Sequence, residues 1–280
     1  MSKSKRHIAL VCPGGPISPD LADKLGEFTA AHCGDRAELH FHPQCFLEAG
    51  HFAGTDAERS AAFLKVANDP AFDAVWFARG GYGAIRLDDA VYGKLNDAAR
   101  AKTWFGYSDN GAILARLYGM GFKNLAHGPI AVDLNREGGE AAIARALDYL
   151  VFNKQDGLEP ELDGRPTVAF NITVLSNIAA APWAPSLAGH VVLMEDVGEY
   201  LYRIDRALGG LMVSLMMKNI AGVRLGRITD IPENDRPFGA DEEEIVRYWC
   251  ERTGVPYLGR AGIGHDAKNK IVPFGPRPEG

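Results

Sequence analysis

The chain lacks several features that would each assign a function class. No apolar run reaches membrane length anywhere in its 280 residues. Its four cysteines (Cys12, Cys33, Cys45 and Cys250) form no CxxC pair and no zinc-like spacing. Free thiols in a chain of this size suit a reducing compartment. There is no excess of basic residues: a net charge of −6 argues against a nucleic-acid surface. The glycine-rich segment at 80–83 lacks both G-x-G-x-x-G and the Lys-Ser/Thr of a P-loop, which weakens a nucleotide assignment for it. Internal repeats and low-complexity segments are also missing. The N-terminus, Met1-Ser2-Lys3-Ser4-Lys5-Arg6, is basic, but only Ile8-Ala9-Leu10-Val11 follows before Pro13. That run is too short for a signal peptide, so a cytoplasmic protein is expected.

What is present reads as a soluble globular protein, with 46% hydrophobic and 24% charged residues. Apolar strand patterns at His7–Cys12, Ala37–Phe41, Ala74–Ala78 and Thr103–Tyr107 alternate with helical patterns at Pro19–His32, Asp56–Asn68, Asn110–Gly119 and Gly139–Phe152. This alternation predicts a parallel sheet covered on both faces. A polar stretch at 153–166 reads as a linker. Beyond it, strands are expected at Thr167–Asn171, His190–Met194, Arg224–Ile228 and Ile271–Phe274, with helices at Ile204–Met217 and Asp241–Thr253. The acidic Asp241-Glu242-Glu243-Glu244 run fits a first helical turn, where it offsets the helix dipole. The expected fold class is α/β: an N-terminal flavodoxin-like lobe (1–152) and a smaller C-terminal α/β lobe (167–280), with a cleft between them.

Three loops follow strands and should converge at one sheet edge: Pro13-Gly14-Gly15-Pro16, Arg79-Gly80-Gly81-Tyr82-Gly83 and Gly106-Tyr107-Ser108-Asp109. The last has the strand–turn–helix layout of a nucleophile elbow. Asn110 stands where G-x-S-x-G has its second glycine, and a plain helix cap at Ser108-Asp109 is the alternative. A hydroxyl nucleophile needs a base and an acid to hold that base. His265, in Gly262-Ile263-Gly264-His265, sits on a loop whose glycines permit close approach; a surface-turn histidine is the competing reading. His40 and His42 form an H-x-H that would project to one face of a strand, with only His51 as a possible third metal ligand. His127 could line the cleft or serve a turn. Glu195 ends an apolar run at Val191-Val192-Leu193-Met194, with Glu199 and Asp205 as alternatives. The glycines at 80–83 suit backbone N–H donation to an oxyanion.

Taken in order, these segments resemble the LD-carboxypeptidase family of serine peptidases, which includes the microcin C self-immunity peptidases. The resemblance runs nearly end to end, through Pro13–Ser18, Phe52–Asp56 with Glu58-Arg59, Arg79–Ala84, Arg86-Leu87, Gly106–Asp109, His127-Gly128-Pro129, Glu195–Glu199, Tyr202–Arg206, Gly264-His265, Asn269 and Pro273–Gly275. It implies a Ser108–Glu195–His265 triad and an oxyanion hole from the backbone N–H groups of Gly81 and Asp109. It further implies hydrolysis of the amide between an L-centre and a terminal D-amino acid, typically D-alanine release from murein tetrapeptide, with no metal or cofactor and a homodimeric assembly. Two departures bear on the substrate: Ala169-Phe170-Asn171 where the family usually has Gly-Gly-Asn, and Asn110-Gly111 where an Ile or Val usually follows the elbow. Asn171 keeps its polar group. A carboxypeptidase must hold a free carboxylate, for which the arginine fork is suited, and Arg79, Arg86 and Arg203 are the candidates. The rival readings are a peptidase of peptidyl- or aminoacyl-nucleotide amides and a non-catalytic small-molecule binding module.

Overall fold

The computed structural model describes residues 5–160 and 164–276; residues 1–4 of the basic N-terminal segment, part of the expected linker, 161–163, and residues 277–280 lie outside the described residues. The first strand, β1 (Arg6–Val11), is followed by α1 (Pro19–Cys33), β2 (Ala37–Phe41), α2 (Asp56–Asn68), β3 (Ala74–Phe77), α3 (Asp89–Tyr92) and α4 (Asp97–Ala101). Next come β4 (Thr103–Gly106), α5 (Gly111–Gly119), β5 (Leu125–His127) and α6 (Gly139–Phe152). The remainder comprises β6 (Thr167–Asn171), α7 (Ile172–Ile178), β7 (Val191–Val197), α8 (Leu201–Leu211), β8 (Gly222–Thr229), α9 (Glu242–Thr253), β9 (Tyr257–Arg260) and β10 (Val272–Pro273).

The strands form two sheets, ordered β2-β1-β3-β4-β5-β10 and β6-β7-β8-β9. All pairings are parallel except β10 against β5. The order 2-1-3-4-5 is that of a flavodoxin-like doubly wound sheet, whose switch point lies between β1 and β3. The loops leaving those two strands are Pro13–Pro16 and Arg79–Gly83. The fold is therefore the mixed α/β, parallel-sheet architecture expected.

Both faces of the first sheet are sealed. Ile8 and Leu10 pack with Leu21 and Leu25 of α1, whereas Ala9 and Val11 pack with Ala62 and Phe63 of α2. The helix ends are chemically marked. Ser18 caps α1 with Pro19 behind it, and Thr55 and Glu58 form a reciprocal capping box on α2. Asp241 and Glu244 do the same for α9, with Glu242 and Glu243 in its first turn, as the acidic run predicts. The four cysteines are buried free thiols.

Some expectations are corrected. β5 spans three residues, α7 follows β6 without a loop, and β9 is short, so none carries a readable period. The helix expected at Ile204–Met217 starts at Leu201 and ends at Leu211. Beyond it, successive turns bury Met212, Met216 and Met217 while leaving Val213 70% and Leu215 83% exposed, so the apolar residues mimic a helical period without a helix. The strand expected at His190–Met194 runs on to Val197, which puts Glu195 inside β7 rather than at its tip. The C-terminal strand joins the first sheet, and Thr167 exchanges backbone hydrogen bonds with Gly275 (3.1 and 2.8 Å), so this segment touches both sheets.

Candidate active site

The turn after β4 is strained at one residue. Ser108 adopts φ +61°, a left-handed conformation uncommon for a side-chain-bearing residue, inside a 3-10 turn (Ser108–Asn110) that leads into α5. The neighbouring glycines make the turn possible. A Cβ on Gly106 would stand 2.9 Å from the Phe77 ring, and one on Gly80 would stand 2.9 Å from both Cβ and Oγ of Ser108.

The three glycine-bearing loops do converge. Gly15 N donates to Gly80 O (3.2 Å), and Asn110 Nδ2 donates to Arg79 O and Tyr107 O (3.1 Å each). A Cβ on Gly14 would lie 2.2 Å from Gly81 O, so only glycine fits there. Arg59, buried beneath them, donates to Pro13 O and to Gly83 O (2.8 Å). The Asp109 carboxylate accepts from Ala84 N (2.6 Å) and thereby pins the 80–83 loop to the elbow. Burial raises the Asp109 carboxyl, and the N–H groups of Ala84 and Gly83 pull it partway back.

His265 reaches this edge from the loop between β9 and β10. Its Nε2 lies 2.9 Å from Ser108 Oγ and its Nδ1 lies 2.5 Å from Glu195 Oε2. With Nδ1–H donated to the carboxylate, Nε2 is left as acceptor for the serine hydroxyl, so this network assigns the tautomer. Burial alone would lower the imidazole, but the charge and hydrogen bond of Glu195 outweigh it and hold His265 above its ordinary value. Room for Glu195 comes from Gly226 on β8, where a Cβ would stand 3.0 Å from the glutamate Cβ. An imidazole so held can accept the proton of the hydroxyl it faces.

The His265 loop is tied down from several sides. Arg136 Nη1 donates to His265 O (2.7 Å), while its Nε donates to Asp133 Oδ1 (2.8 Å), which also accepts from Tyr107 OH (2.9 Å). Arg145 donates to Ala267 O and Asn269 O, and Arg227 pairs with Asp266. Asn269 Oδ1 accepts from Gly264 N (3.2 Å) and from His127 Nε2 (3.1 Å). Burial lowers His127 to about 4, so it is neutral and serves the loop as a donor.

The remaining candidates are distributed. Arg79 donates to Pro16 O (2.7 Å) at the rim of the converged loops, and Arg86 pairs with Asp56 (2.6 Å). Arg203 is exposed beside Glu199 (3.6 Å). Asn171 is engaged at both ends of its amide: Oδ1 caps α7 through Val174 N (3.0 Å) and Nδ2 donates to Asp196 Oδ1 (2.7 Å). Asp196 is raised to about 6 by burial and by the adjacent Glu195 charge. His42 lies beyond the end of β2 and accepts from Gln44 N (3.2 Å), so the H-x-H does not act as one pair. Arg136, Asp133 and Tyr107 have no assigned role in the sequence analysis, because the contacts that matter, Arg136 to His265 O and Tyr107 to Asp133, join distant segments; Asn110, noted there only as a departure at the elbow, ties the elbow to Arg79 O.

Residues 8–128 match the LD-carboxypeptidase N-terminal domain and residues 166–279 the LD-carboxypeptidase C-terminal domain. The chain is 31% identical to a putative carboxypeptidase of Streptomyces coelicolor, over 96% of this chain and 88% of that protein. It is 28% identical to the murein tetrapeptide carboxypeptidase of Pseudomonas aeruginosa, over 96% and 91%. Among solved structures, the muramoyltetrapeptide carboxypeptidase of Oxalobacter formigenes superposes with a TM-score of 0.80 at 22% identity, covering 95% of this chain and 93% of that one. MccF bound to glutamyl sulfamoyl guanosine superposes at 0.79 with 16% identity, over 98% and 92%. The chain belongs to the LD-carboxypeptidase family.

Proposed function

We propose that this chain is a serine carboxypeptidase that hydrolyses the amide between an L-centre and a terminal D-amino acid, releasing D-alanine from murein tetrapeptide. The observation that carries the reading is the Ser108–His265–Glu195 alignment, at 2.9 and 2.5 Å on opposite nitrogens of one ring. In this reading His265 takes the Ser108 proton as Oγ attacks the carbonyl carbon, and Glu195 stabilises the imidazolium that forms. The oxyanion is received by the backbone N–H groups of Gly81 and Asp109, which sit on the two loops that Asp109 itself joins. His265 then protonates the leaving amine, and water attacks the acyl-enzyme with His265 again as base. Arg79, on the loop that carries Gly81, is our candidate for holding the terminal carboxylate. The same reading takes 1–152 and 167–280 as two domains joined by 153–166, and the protein as a cytoplasmic homodimer acting in cell-wall recycling.

The test is D-alanine release from murein tetrapeptide by the native chain and by Ser108→Ala. Release should fall by roughly 10⁴-fold or more in the variant, the scale for loss of an activated nucleophile. Equal release from both would overturn Ser108 as nucleophile. No release from the native chain, with Ser108 still labelled by a fluorophosphonate, would move the substrate to peptidyl- or aminoacyl-nucleotide amides; no labelling would leave a binding module.

A further inference from the structure

The first two strands carry a second group of chemically capable side chains. The parallel register sets His7 of β1 opposite Glu38 of β2 and Ala9 opposite His40, so all three polar side chains share one face. His7 Nδ1 and His40 Nε2 are 3.0 Å apart; Glu38 offers Oε2 to the first ring at 3.8 Å and Oε1 to the second at 3.9 Å. The donor atoms of these three residues lie within 4.8 Å of one another. Ligand atoms of a tetrahedral ion with bonds of about 2.1 Å stand about 3.4 Å apart, a value these separations bracket. The scaffold beneath is fixed: Asp73 Oδ2 accepts from His7 N (2.8 Å), and Phe72 packs its ring 5.2 Å from that of His40.

We propose that His7, Glu38 and His40 bind a divalent transition-metal ion, with solvent completing its coordination. Two imidazoles and one carboxylate suit zinc, cobalt(II), nickel or copper(II) rather than calcium or magnesium. The ion would replace the proton shared between the two ring nitrogens and clamp edge strand β2 to β1. The local competitor is Lys5, whose Nζ lies 2.8 Å from Glu38 Oε2 in an exposed pair. The site is separate from Ser108 and does not depend on the function proposed for it.

Tag-free protein, stripped with chelator, is titrated with CoCl₂ and with ZnCl₂. We expect one ion per chain, visible d–d absorption from bound cobalt(II), and a rise in Tm with zinc. His7→Gln and His40→Gln, both on half-exposed side chains, should each weaken binding at least about tenfold. His42→Gln should leave binding unchanged and Lys5→Ala should tighten it a few-fold. Binding that survives both ligand substitutions, an equal loss in His42→Gln, or no binding by the native chain at about 100 μM zinc would overturn the proposal.

Discussion

Ser108 holds a backbone conformation that costs on the order of 1–3 kcal/mol for a residue with a Cβ. Gly80 is what lets its hydroxyl stand free, because a methyl there would press on both Cβ and Oγ at 2.9 Å. Gly80 is not among the positive-φ residues, so alanine is acceptable to the backbone and the conflict is purely with Ser108. Gly80→Ala should lower kcat about tenfold to a hundredfold, with a stability loss of about 1–3 kcal/mol from overpacking. Steady-state kinetics beside urea unfolding separate the two; an unchanged kcat would remove Gly80 from the account. The same scale explains the departures at Gly111 and Phe170. A Cβ on Gly111 would stand 3.3 Å from Phe170 Cδ1, so the glycine makes room for a ring that packs on Phe274 at 5.1 Å. The two departures are one packing adjustment. Sequence could show each residue but not that they touch.

Among the elements, legibility followed length and period. α1, α2 and α6 were readable because each carries a cap or a long apolar stripe, β1, β3 and β4 because each carries an apolar run, and β2 because Ala37, Leu39 and Phe41 alternate with Glu38 and His40. The elbow could be read as strand–turn–helix, and His265 as a glycine-flanked loop. What stayed hidden is how that loop is held, since Arg136 and Asp133 precede it by more than a hundred residues and bear no local mark. Arg136 positions the loop through His265 O, and its positive charge also lowers the His265 pKa. His265 must be neutral to act as base, so activity rises as pH passes upward through its pKa. Removing Arg136 raises that pKa, and the acid limb of kcat/KM should move to higher pH. Arg136→Ala should in addition lower kcat about tenfold to a hundredfold. Arg136→Lys should restore the limb without restoring kcat, because an ammonium cannot fork between Asp133 and the His265 carbonyl. A limb that stays put in Arg136→Ala would remove the charge effect, and an unchanged kcat beside it would remove the positioning role as well.

Over the whole molecule, two buried groups behind the site titrate in opposite senses. Asp196, on β7, is raised to about 6 by burial first and the Glu195 charge second. His127, at the end of β5, is lowered to about 4 by burial. Neither shift was legible, because both are set by packing between distant segments. The folded state binds the Asp196 proton more tightly than the unfolded chain, so this contribution to stability is complete below the ordinary carboxylate range and is lost as pH rises through about 6. His127 does the reverse: the unfolded chain takes up its proton first, so the fold is penalised below about 4 and relieved as pH rises toward the ordinary histidine range. Each shift corresponds to about 3 kcal/mol, and between roughly pH 4 and 6 the two slopes oppose and largely cancel. Asp196→Asn removes the falling contribution and leaves the rising one. Its unfolding free energy should therefore climb by about 2 kcal/mol relative to the native chain across that interval, the part of the full shift that falls between pH 4 and 6. Urea unfolding at pH 4, 5 and 6 reads this directly. Parallel stability profiles for variant and native chain would mean that Asp196 titrates as an ordinary carboxylate, and that the acid response of the fold rests on His127 and the remaining groups.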